Sequence, residues 1–291
     1  MGVRKVFVKS VLNRHRRDRW FLDEYSVNPY YGCPFNCVYC YTHGGRYGVR
    51  GGLAVKVNAP AVLDRELWRR GRRGEYGFIA LSSATEPWGL GVEDRYGVTR
   101  RCLRVILRHR FPVHCLTKST LITRDLDILA ELRGRARLPA DLQGVVRDGI
   151  LITFSLSTLR DEVAEVFEPR APPPRERLNT LARVREEGFT AGISYIPVLP
   201  FITDSEVEEM ARVAKDLGAD YVFFAPLTLE GREVYLRVLE SRYPELVARY
   251  EELYRGRTPL KQYVARFYRE VLKHLERYGL RFGITEVDLG V

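Results

Sequence analysis

The 291-residue chain has no apolar run of about 18 residues, so no transmembrane helix is expected. Nor is a secretory leader expected. Met1 to Ser10 carries Arg4, Lys5 and Lys9 and has no apolar stretch of the needed length. A cytoplasmic protein is the expectation. Cysteine is scarce, five in all, and three of them crowd between positions 33 and 40, which does not read as a secreted disulfide framework. Lysine is scarce as well, 7 against 40 arginines, within a net charge of +10. A surplus of that sign attracts nucleic acid. Much of the arginine alternates with acid, however, as in Arg183-Val184-Arg185-Glu186-Glu187, which reads as an ion-paired surface. No zinc-finger, RRM, internal repeat or low-complexity stretch is present.

What the chain does have is 45% hydrophobic residues, ample for a sizeable core. Short apolar runs read as strands at 25–28, 78–81, 113–117, 150–156, 190–196 and 221–224. Amphipathic runs between them read as helices at 59–70, 98–110, 125–132, 175–187 and 205–217. Strands alternating with helices of this length imply βαβ units and a parallel sheet. Six units are fewer than the eight of a closed barrel. The expected fold is therefore α/β, a partial open (β/α)6 TIM-like barrel, with a doubly wound sheet as the rival. Residues 1–24 read as a basic arm lying over the domain, 25–229 as the barrel core, and 230–291 as a helical C-terminal extension covering its open side.

The informative stretch runs from Asn28 to Tyr41. Cys33, Cys37 and Cys40 are spaced C-x3-C-x2-C, with Tyr39 directly before the third. Three thiolates so spaced can hold three irons of a [4Fe-4S] cluster and leave the fourth open to a ligand, whereas most clusters take four cysteines. The rival is a structural zinc site of Cys33, Cys37, Cys40 and His43. In parallel β/α folds ligands bind beyond the carboxyl ends of the strands. Polar residues recur there: Ser83, Thr85 and Glu86 after the second strand, Lys118 after the third, Ser155 and Ser157 on the fourth, Pro197 after the fifth. On the fourth strand Ile150, Ile152, Phe154 and Leu156 face one way, and Thr153, Ser155 and Ser157 the other. Water or ribose hydroxyls would satisfy that hydroxyl row. Lys118 and Arg170 are candidate carboxylate partners, Arg170 for its planar fork.

Together with Thr85-Glu86-Pro87-Trp88, the run from Leu116 to Asp127, Glu168-Pro169-Arg170-Ala171-Pro172 and Ile196 to Pro200, the cysteine motif resembles the radical S-adenosylmethionine superfamily, in the branch related to spore photoproduct lyase. The resemblance covers roughly residues 20–230. It implies that Cys33, Cys37 and Cys40 ligate a [4Fe-4S] cluster whose open iron takes S-adenosylmethionine. It implies Tyr39 against the adenine, Ser155 and Ser157 near the ribose, and Arg170 on the carboxylate. Residues 82–86 stand where the family carries a glycine-rich segment. The two glycines are missing, although Glu86 is retained. A flavodoxin- or ferredoxin-like one-electron donor is implied as partner. The substrate is open, nucleic acid included. The lyase's hydrogen-donating cysteine has no counterpart, since Ser83-Ala84-Thr85 fills that place.

Overall fold

The computed structural model describes residues 2–44, 51–229 and 233–285; residues 230–232 and 286–291 of the expected extension lie outside them. The strands are β1 (Arg4–Val6), β2 (Leu12–Arg14), β3 (Asp23–Val27), β4 (Tyr30–Tyr31), β5 (Ala54–Lys56), β6 (Phe78–Leu81), β7 (Val113–Thr117), β8 (Ile150–Leu156), β9 (Thr190–Val198) and β10 (Val222–Pro226). The α-helices are α1 (Ala59–Arg72), α2 (Glu93–Tyr96), α3 (Val98–His109), α4 (Leu126–Arg133), α5 (Asp161–Phe167), α6 (Pro174–Glu186), α7 (Val207–Asp216), α8 (Glu233–Arg242), α9 (Val247–Tyr254) and α10 (Arg257–Tyr278).

Six parallel strands lie side by side in the order β3-β6-β7-β8-β9-β10. They are the six units expected, and among the described residues the sheet stays open at both ends. Strands of a parallel sheet are covered on both faces and so read as apolar runs; Phe78 to Leu81 are all buried. One face meets the helices. Ile150, Ile152, Phe154 and Leu156 belong to that core, together with the apolar stripe of α3, Val98, Cys102, Val105 and Ile106.

The other face lines the half-barrel in three layers. At the base Phe78, Leu151 and Phe223 pack with Leu22, Trp20 and Phe21. The Trp20 ring stacks on Phe223 at 6.2 Å and meets Phe282 edge-on at 5.1 Å. In the middle, His114 Nδ1–H donates to the Phe21 carbonyl at 3.0 Å, so its Nε2 accepts from Thr153 Oγ1 at 2.6 Å. Thr153 Oγ1 also bonds the Tyr221 hydroxyl at 2.8 Å. Above them Ala80, Leu116, Ser155, Ser194 and Ala225 border a cavity.

The N-terminal segment is therefore more than an arm over the surface. β2 pairs antiparallel with β3 and becomes the sheet's seventh strand. β1 joins β5 and β4 in a separate three-stranded sheet. Asp18 Oδ1 accepts from the Trp20 and Phe21 amides at 2.7 and 2.9 Å, which turns the chain into the barrel base. At the far end, α10 brings the chain back to β10. The Val222 amide donates to Arg281, and Gly283 donates to Val222. An added strand at one end and this short bridge at the other cover the unpaired groups of an open sheet.

Candidate functional site

β3 runs out into the cysteine loop, which the surrounding backbone holds at several points. The Val38 amide donates to the Phe167 carbonyl at 2.8 Å, tying the loop to the end of α5. Amides of Cys40 and His43 close turns on the carbonyls of Cys37 and Cys40. All three thiols are free and line one cavity of about 660 Å³. Burial, and then the nearby Glu86 carboxylate, push the Cys33 thiol up to about 12; burial likewise raises Cys37. Such thiols stay protonated in an empty site, and a bound metal deprotonates them outright. His43 Nε2 donates to the Cys37 carbonyl at 2.7 Å. A single zinc would need its sulfurs within about 4 Å of each other. Among the described residues no three His, Cys, Asp or Glu side chains are grouped to hold one ion. Three free thiols from one loop, opening into one cavity, are the donor set that a larger inorganic group would take, one thiolate to each of three irons.

Beside the thiols lies a fully buried ion pair, Glu168 with Arg177. The Tyr39 hydroxyl and Ser157 Oγ donate to Glu168 Oε1, and Lys118 Nζ stands 3.7 Å away. Arg177 also donates to the carbonyls of Pro172 at 2.7 Å and Ser155 at 3.0 Å. Burial alone would raise the Glu168 carboxyl, but the Arg177 guanidinium and the Lys118 ammonium hold it down to about 2. A buried charge persists only when paired and hydrogen-bonded in this way. Through Tyr39, the pair fixes the third cysteine's neighbour against the barrel.

The loop after β6 is built without the glycines its conformation favours. Ser82 adopts φ +74°, a left-handed backbone rare outside glycine. Its Oγ donates to the Thr85 carbonyl at 2.7 Å. Asn28 Oδ1 accepts from the Ala84 amide at 3.0 Å and clamps the turn from β3. Glu86 accepts from the Trp88 amide, Thr117 Oγ1 and the Lys118 amide, so it braces two loops at once. Lys118 Nζ in turn donates to Ser155 Oγ.

Of the residues singled out above, Cys33, Cys37, Tyr39, Cys40, Ser83, Thr85, Glu86, Lys118, Ser155 and Pro197 all line the cavity. Two do not. Ser157 is buried on Glu168, away from the lining, and Arg170 is exposed. The hydroxyl row finds its partners within the protein: Thr153 on His114, Ser155 on Lys118, Ser157 on Glu168. Arg177 went unnoticed in the sequence. Its signal was its place with Leu181 and Val184 on the core-facing stripe of α6. Also unforeseen are His15, Arg16, Asp18 and Trp20, which the N-terminal segment adds to the cavity wall.

The family model for the Radical SAM superfamily matches residues 27–214, more than half of the chain. An uncharacterised protein of Mycobacterium tuberculosis is 31% identical over 283 residues, spanning 92% of this chain and 77% of that one. Among solved structures, a spore photoproduct lyase variant superposes with a TM-score of 0.62 at 15% identity, covering 91% of this chain and 78% of its own. A second lyase variant, with bound AdoMet and a dinucleoside spore photoproduct, gives 0.57 at 19% identity over 77% of this chain and 62% of its own. At these identities the likeness is one of fold.

Proposed function

The chain belongs to the Radical SAM superfamily, and from that premise we propose that it is a [4Fe-4S]-dependent enzyme acting on its substrate by hydrogen abstraction. One observation carries the reading. Three free thiols share the head of a single cavity with Lys118, Ser155, Ser83 and Thr85, all delivered by strand carboxyl ends. Cys33, Cys37 and Cys40 would hold the cluster. Bound there, the cluster and S-adenosylmethionine supply a 5′-deoxyadenosyl radical. Lys118, held by Ser155 and facing the cavity, would take the cofactor's carboxylate in place of the exposed Arg170. Ser155 and Pro197 would border its ribose and adenine. Ser157 and Arg177 would act indirectly, by holding Glu168 and hence Tyr39. The partners in this reading are a one-electron donor and a substrate, in the cytoplasm. No helix of the described residues is long and apolar enough to cross a membrane.

The test is anaerobic reconstitution. About four irons and four sulfides per chain are expected. Reduction in the presence of S-adenosylmethionine should then release 5′-deoxyadenosine. Stoichiometric zinc without iron would end the proposal.

A second reading, repair or modification of nucleic acid by the same chemistry, is favoured by His15 and Arg16 on the cavity wall and by the dinucleoside held in a fold neighbour. Among the described residues the three cluster cysteines are the only thiols lining the cavity; Cys102 and Cys115 are buried elsewhere. The lyase's own use of a fourth thiol therefore does not carry over. Retention of single- or double-stranded DNA that weakens steeply with salt would support this reading. Salt-independent failure to bind would remove it.

A further inference from the structure

Asn28 stands directly after β3 and does not line the cavity, yet its side chain is devoted to the loop that follows β6. Its Oδ1 accepts from the Ala84 amide at 3.0 Å and stands 3.3 Å from Ser82 Oγ. A backbone amide can only donate, so this contact settles which end of the Asn28 side chain carries the oxygen. Its Nδ2 then reaches Ser83 Oγ at 3.5 Å. The Ser82 amide adds a bond to the Val27 carbonyl at 2.9 Å. Asn28 is itself held in place, because its own carbonyl accepts from Lys56 Nζ at 2.7 Å. Lys56 is buried on β5, and among the described residues its ammonium meets only that carbonyl and the face of Tyr31, with no carboxylate. A buried cation is thus kept for one hydrogen bond to Asn28.

The residue that needs this support is Ser82. Its φ of +74° crowds the Cβ of an L-residue and is free of that cost only in glycine. The Ser82 hydroxyl bonds within the turn, to the Thr85 carbonyl at 2.7 Å and to Thr85 Oγ1 at 2.5 Å. Those bonds close the turn on itself, and Asn28 ties it to β3. What the turn presents is part of the site, since Ser83, Ala84 and Thr85 line the cavity together with the three thiols. Just after the third cysteine, the Tyr41 hydroxyl donates to the Ser83 carbonyl at 2.5 Å. The loop is therefore gripped from both sides of the cysteine motif, but only Asn28 holds the two residues that flank Ser83.

We propose that Asn28 is a positioning residue for the cofactor. By tying Ser82 and Ala84 to β3, it keeps Ser82 in a backbone that glycine would adopt unaided. It thereby fixes Ser83 to Thr85 as a wall against which S-adenosylmethionine binds. The assignment rests on the reading above, which supplies the cofactor. Asn28 lies outside the cavity and acts through the loop alone, and Lys56 acts one step further back, through the Asn28 backbone. Once Asn28 is removed, Ser82 relaxes towards negative φ and draws Ser83 to Thr85 out of place. With glycine at position 82 that relaxation has no driving force, and the clamp becomes dispensable.

Four variants of the full chain test this: Asn28→Ala, Asn28→Asp, Ser82→Gly, and Asn28→Ala combined with Ser82→Gly. After reconstitution, each is assayed for iron and titrated calorimetrically with S-adenosylmethionine. Asn28→Ala should raise the dissociation constant about tenfold or more with iron content unchanged. Asn28→Asp keeps the accepting oxygen and should stay within about threefold of wild type, as should Ser82→Gly alone. The double variant should return to within about threefold of wild type, a non-additivity that reports the coupling of the two positions. A merely structural Asn28 would lose iron along with affinity, and glycine at 82 would restore neither. That pattern overturns the proposal, and so does an Asn28→Ala chain that binds S-adenosylmethionine as wild type does. The clamp can also be read in the cluster-free chain, by hydrogen exchange at the Ala84 amide. Asn28→Ala should speed that exchange about tenfold or more, while Asn28→Asp keeps the protection. Unchanged exchange in Asn28→Ala removes the clamp whatever the cofactor does. If reconstituted wild type binds no S-adenosylmethionine, the functional reading fails and the positioning role with it, even where the exchange confirms the clamp.

Discussion

Glu168 and Arg177 are each removed from solvent, so each depends on the other for its charge. Removing one partner of a buried pair costs about 3–5 kcal/mol. Arg177→Met should lower the urea midpoint accordingly. It should also loosen Tyr39, which is read as a lower iron content after reconstitution. Lys118→Met should do the opposite: iron retained, and the dissociation constant for S-adenosylmethionine raised at least tenfold by calorimetry. His114 adds a pH dependence. Burial lowers it to about 4, against an ordinary value near 6.5 in the unfolded chain. The unfolded state therefore takes up the proton first. Stability is full above about pH 6.5 and falls as pH drops towards 4, by up to about 3 kcal/mol. His114→Asn, followed by denaturant titration across that range, should lose this component of the slope. Residue types alone singled out Arg170, which is exposed, and passed over Arg177, which is buried on Glu168. Arg170 lies in the turn before α6 and stays in solvent, whereas Arg177 stands on the buried stripe of α6, and the helical period carried that information for Arg177 alone.

The secondary structure divides into what a short segment can announce and what it cannot. Strands β6 to β10 were legible because burial on both faces requires unbroken apolar runs. The inward and outward rows of β8 followed from alternation alone. β1, β2 and β4 were not legible, being two or three residues long and largely charged or polar, with pairing supplied by distant strands. The loop after β6 was recognised by its departure from a glycine-rich pattern. How Ser82 manages that turn depends on Asn28, which lies in another element. Close approach between elements sets a further limit. A Cβ on Gly192 of β9 would lie 2.4 Å from the Tyr221 ring and carbonyl. Gly192→Ala should thus destabilise by about 1–3 kcal/mol, visible as a lower melting temperature.

For the molecule as a whole, partial closure leaves two sheet ends and a barrel base that must be covered by other parts of the chain. The N-terminal segment covers one end and the base, through β2 and Trp20 to Leu22. A chain beginning at residue 23 should therefore bind a hydrophobic dye and melt at least about 10 °C lower, even though the cysteine loop is intact. Full-length behaviour at the same temperatures would sink that expectation. Trp20 has a consequence for how the protein is made. The ring leaves the ribosome roughly 200 residues or more ahead of two of its neighbours, Phe223 and Phe282. Until β10 and the segment after α10 are made, the nascent chain carries an indole that lacks two of its aromatic neighbours. Closure of the barrel base must wait for Phe282, just beyond α10, and a chain arrested before it would be released with that floor open and apolar side chains bare.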